Sequence, residues 1–133
     1  MALLLDTHVW IWSQAAPENL GIEAETLLAA PEESLFLSPV STLEIARLIS
    51  GGRLVLKENL DDWISTSVEF LNCATADFSH QVAMAAYALP GRFHRDPADR
   101  MLVATARVHE LTLLTADQRI LDYAHVDSRD ARA

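Results

Sequence analysis

The chain has 133 residues, half of them hydrophobic and 22 % charged, with four glycines and five prolines, so a compact single domain spanning 1–133 is expected rather than a disordered chain. At that length folding buries roughly 68 % of the surface the unfolded chain exposes, so no staple is needed, and the single Cys73 excludes an intrachain disulfide and fits a reducing, cytoplasmic compartment. The formal charge of −9 argues against a broad basic surface for nucleic acid, and no apolar run approaches the roughly 18 residues of a membrane span.

Met1 to Leu5 is a short apolar run closed by Asp6, as a central parallel strand with both faces covered would be. Thr7 to Gln14 follows with one or two helical turns, and Pro17 ends it. A second helix is predicted from about Gly21 to Ala30. Leu35 to Leu37 reads as the next strand. A helix then starts at Ser41-Thr-Leu-Glu44, with Leu43, Ala46 and Ile49 on one face, and Gly51-Gly52 stops it. Asn59 caps a helix to Leu71 whose apolar residues recur at Leu60, Trp63, Ile64, Val68 and Leu71. Asn72 to Ala76 suits a short strand, and Ser79 to Leu89 a helix ended by Pro90-Gly91.

Asp96-Pro97 is a conventional helix start, since aspartate caps free amides and the fixed φ of proline suits the first helical position. From Met101 to Val108 that helix is apolar almost all round, so it is buried against the sheet. The strand Leu111 to Leu114, a short helix through Leu121 and a last short strand complete the chain. The alternation of strands and helices predicts an α/β fold, a mainly parallel sheet covered on both faces.

Four carboxylates stand out by position. Asp6 and Asp117 each follow an apolar strand, and in open α/β sheets the ligand crevice lies beyond the carboxyl ends of the strands. Glu44 lies early in one helix, and Asp99 sits on the first turn of a helix whose remainder is apolar, so that turn faces the cleft. Three of the four have a plainer reading, and Asp99 is harder to dismiss. Asp6 and Asp117 could cap helices, Ser41-x-x-Glu44 could be a capping box, and Asp96 is explained as the cap of the helix at Pro97. Carboxylates crowded into one cleft stay ionised only beside a cation, and hard oxygen ligands suit Mg²⁺ or Mn²⁺. Two divalent ions would bring the charge from −9 to about −5 and make the cleft a phosphate acceptor.

Nine of the ten basic residues are arginine, and Arg92, Arg95 and Arg100 cluster around Asp96 and Asp99, where guanidinium groups could clamp phosphates. His8, His80, His94, His109 and His125 contain no His-x-x-x-His pair, which disfavours a zinc hydrolase and leaves them as surface or core imidazoles. Trp10, Trp12 and Trp63 read as core or interface residues. The Gly-x-Ser-x-Gly elbow, Walker loop and Gly-x-Gly-x-x-Gly turn are absent. Haloacid-type phosphatases need Asp-x-Asp where this chain has Asp6-Thr-His8, and receiver domains need a late lysine where the only lysine is Lys57.

Taken in order, Leu3-Leu-Leu-Asp6-Thr-His-Val-Trp10, Ser41-Thr-Leu-Glu44-Ile, His94-Arg-Asp96-Pro-Ala-Asp99-Arg100 and Leu113-Leu-Thr115-Ala-Asp117 resemble a PIN domain of the VapC-type toxins. The resemblance spans Leu3 to about Tyr123. It departs from the usual third motif at Ala98, where an aromatic residue commonly stands. It implies a three-layer α/β/α sandwich and a metal-dependent endoribonuclease, the toxin of a toxin–antitoxin pair, with Asp6, Glu44, Asp99 and Asp117 as the Mg²⁺-binding catalytic quartet. Asp6 and Asp99 would be the principal ligands, with Glu44 and Asp117 completing the shell. It also implies an RNA substrate, a cognate antitoxin and a homodimer, with Val9, Trp12 and Ile49 expected to be buried against an antitoxin segment. The non-catalytic rival is a partner-binding module whose acids serve as helix caps.

Overall fold

A computed structural model describes all residues from Met1 to Ala133. Five strands, β1 (Ala2–Leu5), β2 (Ser34–Leu37), β3 (Ala74–Thr75), β4 (Thr112–Thr115) and β5 (Ser128–Asp130), form a sheet in the order β3-β2-β1-β4-β5. All four pairings are parallel. Seven helices cover its faces: α1 (Thr7–Ala15), α2 (Ile22–Ala29), α3 (Pro39–Ser50), α4 (Leu60–Leu71), α5 (His80–Ala85), α6 (Pro97–Val108) and α7 (Gln118–Leu121). The sandwich is therefore α/β/α, as the alternation of elements predicts.

The inner strands β1, β2 and β4 carry little polar chemistry because they are covered on both sides. Leu3, Leu4 and Leu5 have no exposed surface and alternate between the two layers. Leu3 and Leu5 join Val9, Trp10, Ala24, Ile45 and Trp63 in one core, whereas Leu4 and Leu113 join Leu102, Val103, Ala106 and Ile120 in the other. Trp10 is fully enclosed, its indole N–H donating to the Ser67 hydroxyl (2.9 Å) and its ring 5.0 Å from that of Trp63. A buried indole with its one donor satisfied is a core residue, which removes Trp10 from any stacking role.

The strand order fixes the place of the cleft. The chain moves outward from β1 to β2 and β3, then returns to β4 on the other flank of β1, so the order reverses between β1 and β4. Crossovers leaving those two strands diverge to opposite faces and leave a crevice at their carboxyl ends. Asp6 follows β1 and Asp117 comes two residues after β4, with Leu5 and Leu114 paired in register just below.

Three local expectations are corrected. The helix expected at Ser41 begins at Pro39 with Ser38 as its cap, the Ser38 hydroxyl accepting from Val40 N–H (3.0 Å). Its buried residues are Val40, Ser41 and Ile45, and Leu43 is 65 % exposed rather than inward, because the small Ser41 lets α3 approach α1 closely. The helix expected to run to Leu89 ends at Ala85 in tight turns, Tyr87 N–H donating to Met84 O and Ala88 N–H to Ala85 O. Pro90 disfavours helical geometry at Leu89, so the helix closes early. Val9 is fully buried in the core and cannot meet an antitoxin, while Trp12 and Ile49 are half-buried against that core.

Candidate metal centre

All four predicted acids line one cavity of about 480 Å³ at the carboxyl ends of β1 and β4, and Asp96 joins them. Four separate elements deliver them. Asp6 terminates β1 and caps α1, Glu44 projects from α3, Asp99 lies on the first turn of α6, and Asp117 caps α7. Capping thus accounts for Asp6 and Asp117 and leaves Glu44 and Asp99 unexplained.

Asp6 is only 7 % exposed. Its Oδ1 accepts from Thr7 N–H (2.7 Å) and its Oδ2 from the Thr115 hydroxyl (2.6 Å). Thr115 also accepts from Asp117 N–H (3.0 Å), so one buried hydroxyl fixes the carboxylate of β1 against the turn after β4. Burial raises the Asp6 pKa above the ordinary carboxylate range, and these hydrogen bonds only partly oppose it.

Glu44 is not held as a capping-box residue. Its Oε1 accepts from the Thr7 hydroxyl (2.6 Å), and the Thr7 and Ser41 oxygens are 2.9 Å apart. A hydroxyl has one proton, so Thr7 spends its own on Glu44 and Ser41 donates to Thr7 in turn. Burial again raises the Glu44 pKa, the Thr7 hydrogen bond lowers it in part, and the charge of Asp6 adds to the rise.

The opposite wall is built from charge pairs. Asp99 Oδ2 lies 3.1 Å from His94 Nε2 and 3.5 Å from an Arg119 guanidinium nitrogen, which also sits 3.1 Å from Asp117 Oδ2. Burial, then the neighbouring charges of Asp96, Asp6 and Asp117, push the Asp99 carboxyl up to about 7. Burial acts on Asp117 in the same direction, yet the hydrogen bonds and charge of Arg119 outweigh it and leave Asp117 below its ordinary value. Burial, then the Arg119 charge, lowers the His94 pKa.

Ligand atoms of His94, Asp99 and Asp117 lie within 4.8 Å of one another. Asp6 and Glu44 line the same cavity without joining that set, so the closest grouping differs from the expected leading pair of Asp6 and Asp99. His94 Nε2 is a buried atom that makes no aligned hydrogen bond despite its approach to Asp99. The raised pKa values of Asp6, Glu44 and Asp99, all lining one cavity, mark a demand for positive charge that a cation would meet. The donors fit a hard divalent ion through the carboxylates. His94 Nδ1 accepts from Asp96 N–H (3.4 Å), which favours the proton on Nε2, on the side of Asp99, so that a metal ion would be held by the carboxylates and not by this nitrogen.

Four residues of the site have no role assigned from the sequence: Thr7, His94 and Thr115, which stand within the quoted motifs, and Arg119, which does not. The arginine expectation is also revised. Arg100 donates to the carbonyls of Ala86 (2.9 Å), Phe93 and His94 (both 3.2 Å) and lies 5.1 Å from the Tyr87 ring centre, so it ties the loop before α6 to α5 instead of facing a phosphate. Arg47, Arg53 and Arg119 are the arginines that line the cavity.

The model of the PIN domain family matches residues 3–126. The chain is 34 % identical over 123 residues to Ribonuclease VapC22 of Mycobacterium tuberculosis (strain ATCC 25618 / H37Rv), covering 92 % of each chain. Its fold is similar to VapBC2 of Rickettsia felis bound to a promoter DNA fragment (TM-score 0.69, 16 % identity, 97 % of this chain and 98 % of that one). It is likewise similar to DNA-bound VapBC of Salmonella typhimurium (TM-score 0.66, 17 % identity, 98 % of each chain).

Proposed function

Because the chain belongs to the PIN-domain family and is VapC-like, we propose that it is a divalent-metal-dependent endoribonuclease, the toxin of a toxin–antitoxin pair. The carrying observation is the meeting of Asp6, Glu44, Asp99 and Asp117 from four elements at the switch point of the sheet. The relative named a ribonuclease, similar across 92 % of both chains, supports RNA as the substrate.

In this reading Asp99, Asp117 and Asp6 would hold a Mg²⁺ or Mn²⁺ ion, hard cations that take oxygen ligands. When bound, such an ion would supply Lewis acidity and offset charge on the attacked phosphate. The chain's own residues do the positioning. Thr115 holds Asp6 and the Asp117 turn at one spacing. Glu44, fixed by Thr7 and raised in pKa by burial, receives the proton of the attacking water. His94 Nε2, 3.1 Å from Asp99 Oδ2, packs against that carboxylate and keeps it turned into the cavity. Arg47 and Arg53, on the rim of an otherwise acidic cavity, receive the flanking phosphates.

The partners follow from the same reading: a cognate antitoxin and a second copy of the chain, in the cytoplasm. Ile22, Leu43, Val55, Phe70, Met84 and Tyr87 are large apolar side chains left in solvent and available to such contacts. No helix is long and apolar enough to cross a membrane. The test expresses wild type beside Asp99→Asn and assays purified protein on total RNA with Mg²⁺, Mn²⁺ or EDTA. Growth arrest and cleavage that require both the metal and Asp99 are expected, and arrest by both proteins would remove the acid cluster as its cause.

A further inference from the structure

We propose that the cavity on the far side of Arg119 is a nucleotide subsite, taking the base and phosphate of the RNA residue next to the scissile bond. The proposal rests on the ribonuclease reading above and adds a location for the substrate to it. This second cavity, of about 470 Å³, shares only Arg119 with the acidic one, so a strand leaving the acids on that side must pass over it.

Its charge balance differs from its neighbour's, where five acids face three arginines. Asp6, Glu44, Asp96, Asp99 and Asp117 line the first cavity, whereas Arg92, His94, Arg119 and His125 line the second with one acid, Asp122. Gln118 Nε2 donates to that acid (2.8 Å). In a chain of net charge −9, gathering cationic and imidazole groups beside the catalytic acids provides an acceptor for an anion.

The cavity is also aromatic. Ring centres run from His94 to Phe93 (4.4 Å), Phe93 to Tyr123 (4.8 Å) and Tyr123 to His125 (5.4 Å), a cluster of four lining rings tilted 46°, 51° and 64° to their neighbours. Tyr123 is buried with its hydroxyl on the Pro90 carbonyl and anchors the cluster, while His125 is exposed. Stacking faces beside an arginine are what single-stranded RNA binding uses, because every base has a π-face and every linkage a phosphate. Arg92 is exposed and makes no ion pair or side-chain hydrogen bond, so its charge is free for a ligand. Gly91, at φ +65, lies against the His125 ring, its Cβ position 3.4 Å from Nε2.

The test titrates the isotopically labelled full chain with adenosine 5′-monophosphate, with adenosine and with inorganic phosphate, following amide and imidazole NMR signals. The expected result is that the nucleotide shifts Gly91, Phe93 and His125, and that Arg92→Ala and His125→Ala each weaken it about tenfold while Mn²⁺ binding is unchanged. On RNA, Arg92→Ala is expected to raise KM about tenfold with kcat within about twofold. Equal binding of inorganic phosphate and nucleotide would reduce the cavity to an anion hole and overturn the proposal. So would nucleotide shifts confined to His8 and Trp12, in the first cavity. A wild type that cleaves no RNA removes the reading beneath the subsite, whereas a cleaving wild type whose KM ignores Arg92→Ala overturns the subsite alone.

Discussion

The two walls of the acidic cavity hold negative charge by different means. On the β1 and α3 side, Asp6 and Glu44 are held by neutral groups: the Thr7 amide, and the hydroxyls of Thr7, Ser41 and Thr115. On the α6 and α7 side, Asp99 and Asp117 sit against His94 and the exposed Arg119. A hydroxyl orients a carboxylate without cancelling its charge, so the first wall keeps a demand for a cation. An exposed guanidinium cancels part of that charge and can leave, so the second wall is adjustable. One wall sets geometry and the other exchanges ions.

Substitutions that keep shape and remove charge break this comparison most strongly. Asp6→Asn is expected to lower cleavage by more than the roughly 10–100-fold typical of losing an outer-shell partner, and Asp99→Asn to do the same. Cleavage rates at saturating Mn²⁺ check both. If Asp6→Asn retains activity within tenfold, the strand-end acid is only the cap of α1 and the rigid wall has no catalytic part. Next in size is Thr7→Val, which leaves Glu44 Oε1 and the Ser41 hydroxyl without their shared partner. Unpairing polar groups at a buried site costs about 1–3 kcal/mol, so a fall of several degrees in melting temperature is expected along with about 10–100-fold slower cleavage. Thr7→Ser, which keeps the hydroxyl, should recover most of the rate.

The sequence carried the acids and the sheet but not the means of holding them. Apolar runs closed by Asp6 and followed by Asp117 are legible because buried parallel strands have a distinctive composition, and Asp96-Pro97 states its own helix start. Thr7 and Thr115 are invisible by contrast, since a threonine beside an aspartate reads as capping until the distance from residue 115 to residue 6 is known to be one hydrogen bond. His94 lacks the i, i+4 spacing of a helical metal pair because it reaches Asp99 across a loop and a helix cap, which no periodicity describes. Arg100 was misplaced for a related reason: loop carbonyls left unpaired around Phe93 and His94 have the first claim on a nearby guanidinium. On α3 the buried face runs through Val40, Ser41 and Ile45, so Leu43 turns to solvent although it is apolar.

The adjustable wall gives a pH prediction with a definite sign. Asp99 has a folded pKa of about 7 against an ordinary 3.8, so its protonated form is favoured in the folded state. Its contribution is then most favourable below about 4 and is lost as pH rises toward 7, in the metal-free protein. Because the carboxyl is partly screened by solvent and coupled to its neighbours, the loss is on the order of 1–2 kcal/mol. Asp117 has the opposite sign, its lowered pKa favouring the folded state above the ordinary value and withdrawing that benefit in acid. Melting temperature with EDTA between pH 4.5 and pH 7.5 is therefore expected to show a downward component in wild type that Asp99→Asn abolishes and saturating Mg²⁺ reverses. A profile unchanged by Asp99→Asn would assign the slope to other groups.

The smallest effect isolates Arg119. It lies against the same Oδ2 atoms of Asp99 and Asp117 that a divalent ion would need, yet its side chain is 61 % exposed and its pairing contributes little to the fold. Arg119→Gln is expected to leave melting temperature within about a degree while tightening Mn²⁺ binding severalfold, because a competing cation has been removed from the site. Calorimetry with the metal alone reads this without any RNA. High salt should shrink the difference between wild type and variant, since an exposed guanidinium is screened within a Debye length of about 10 Å at 0.1 M, whereas Asp6 behind its hydroxyls is not. Weaker Mn²⁺ binding in Arg119→Gln would mean that the arginine organises the carboxylates rather than occupying their place, and the two walls would then work by one principle instead of two.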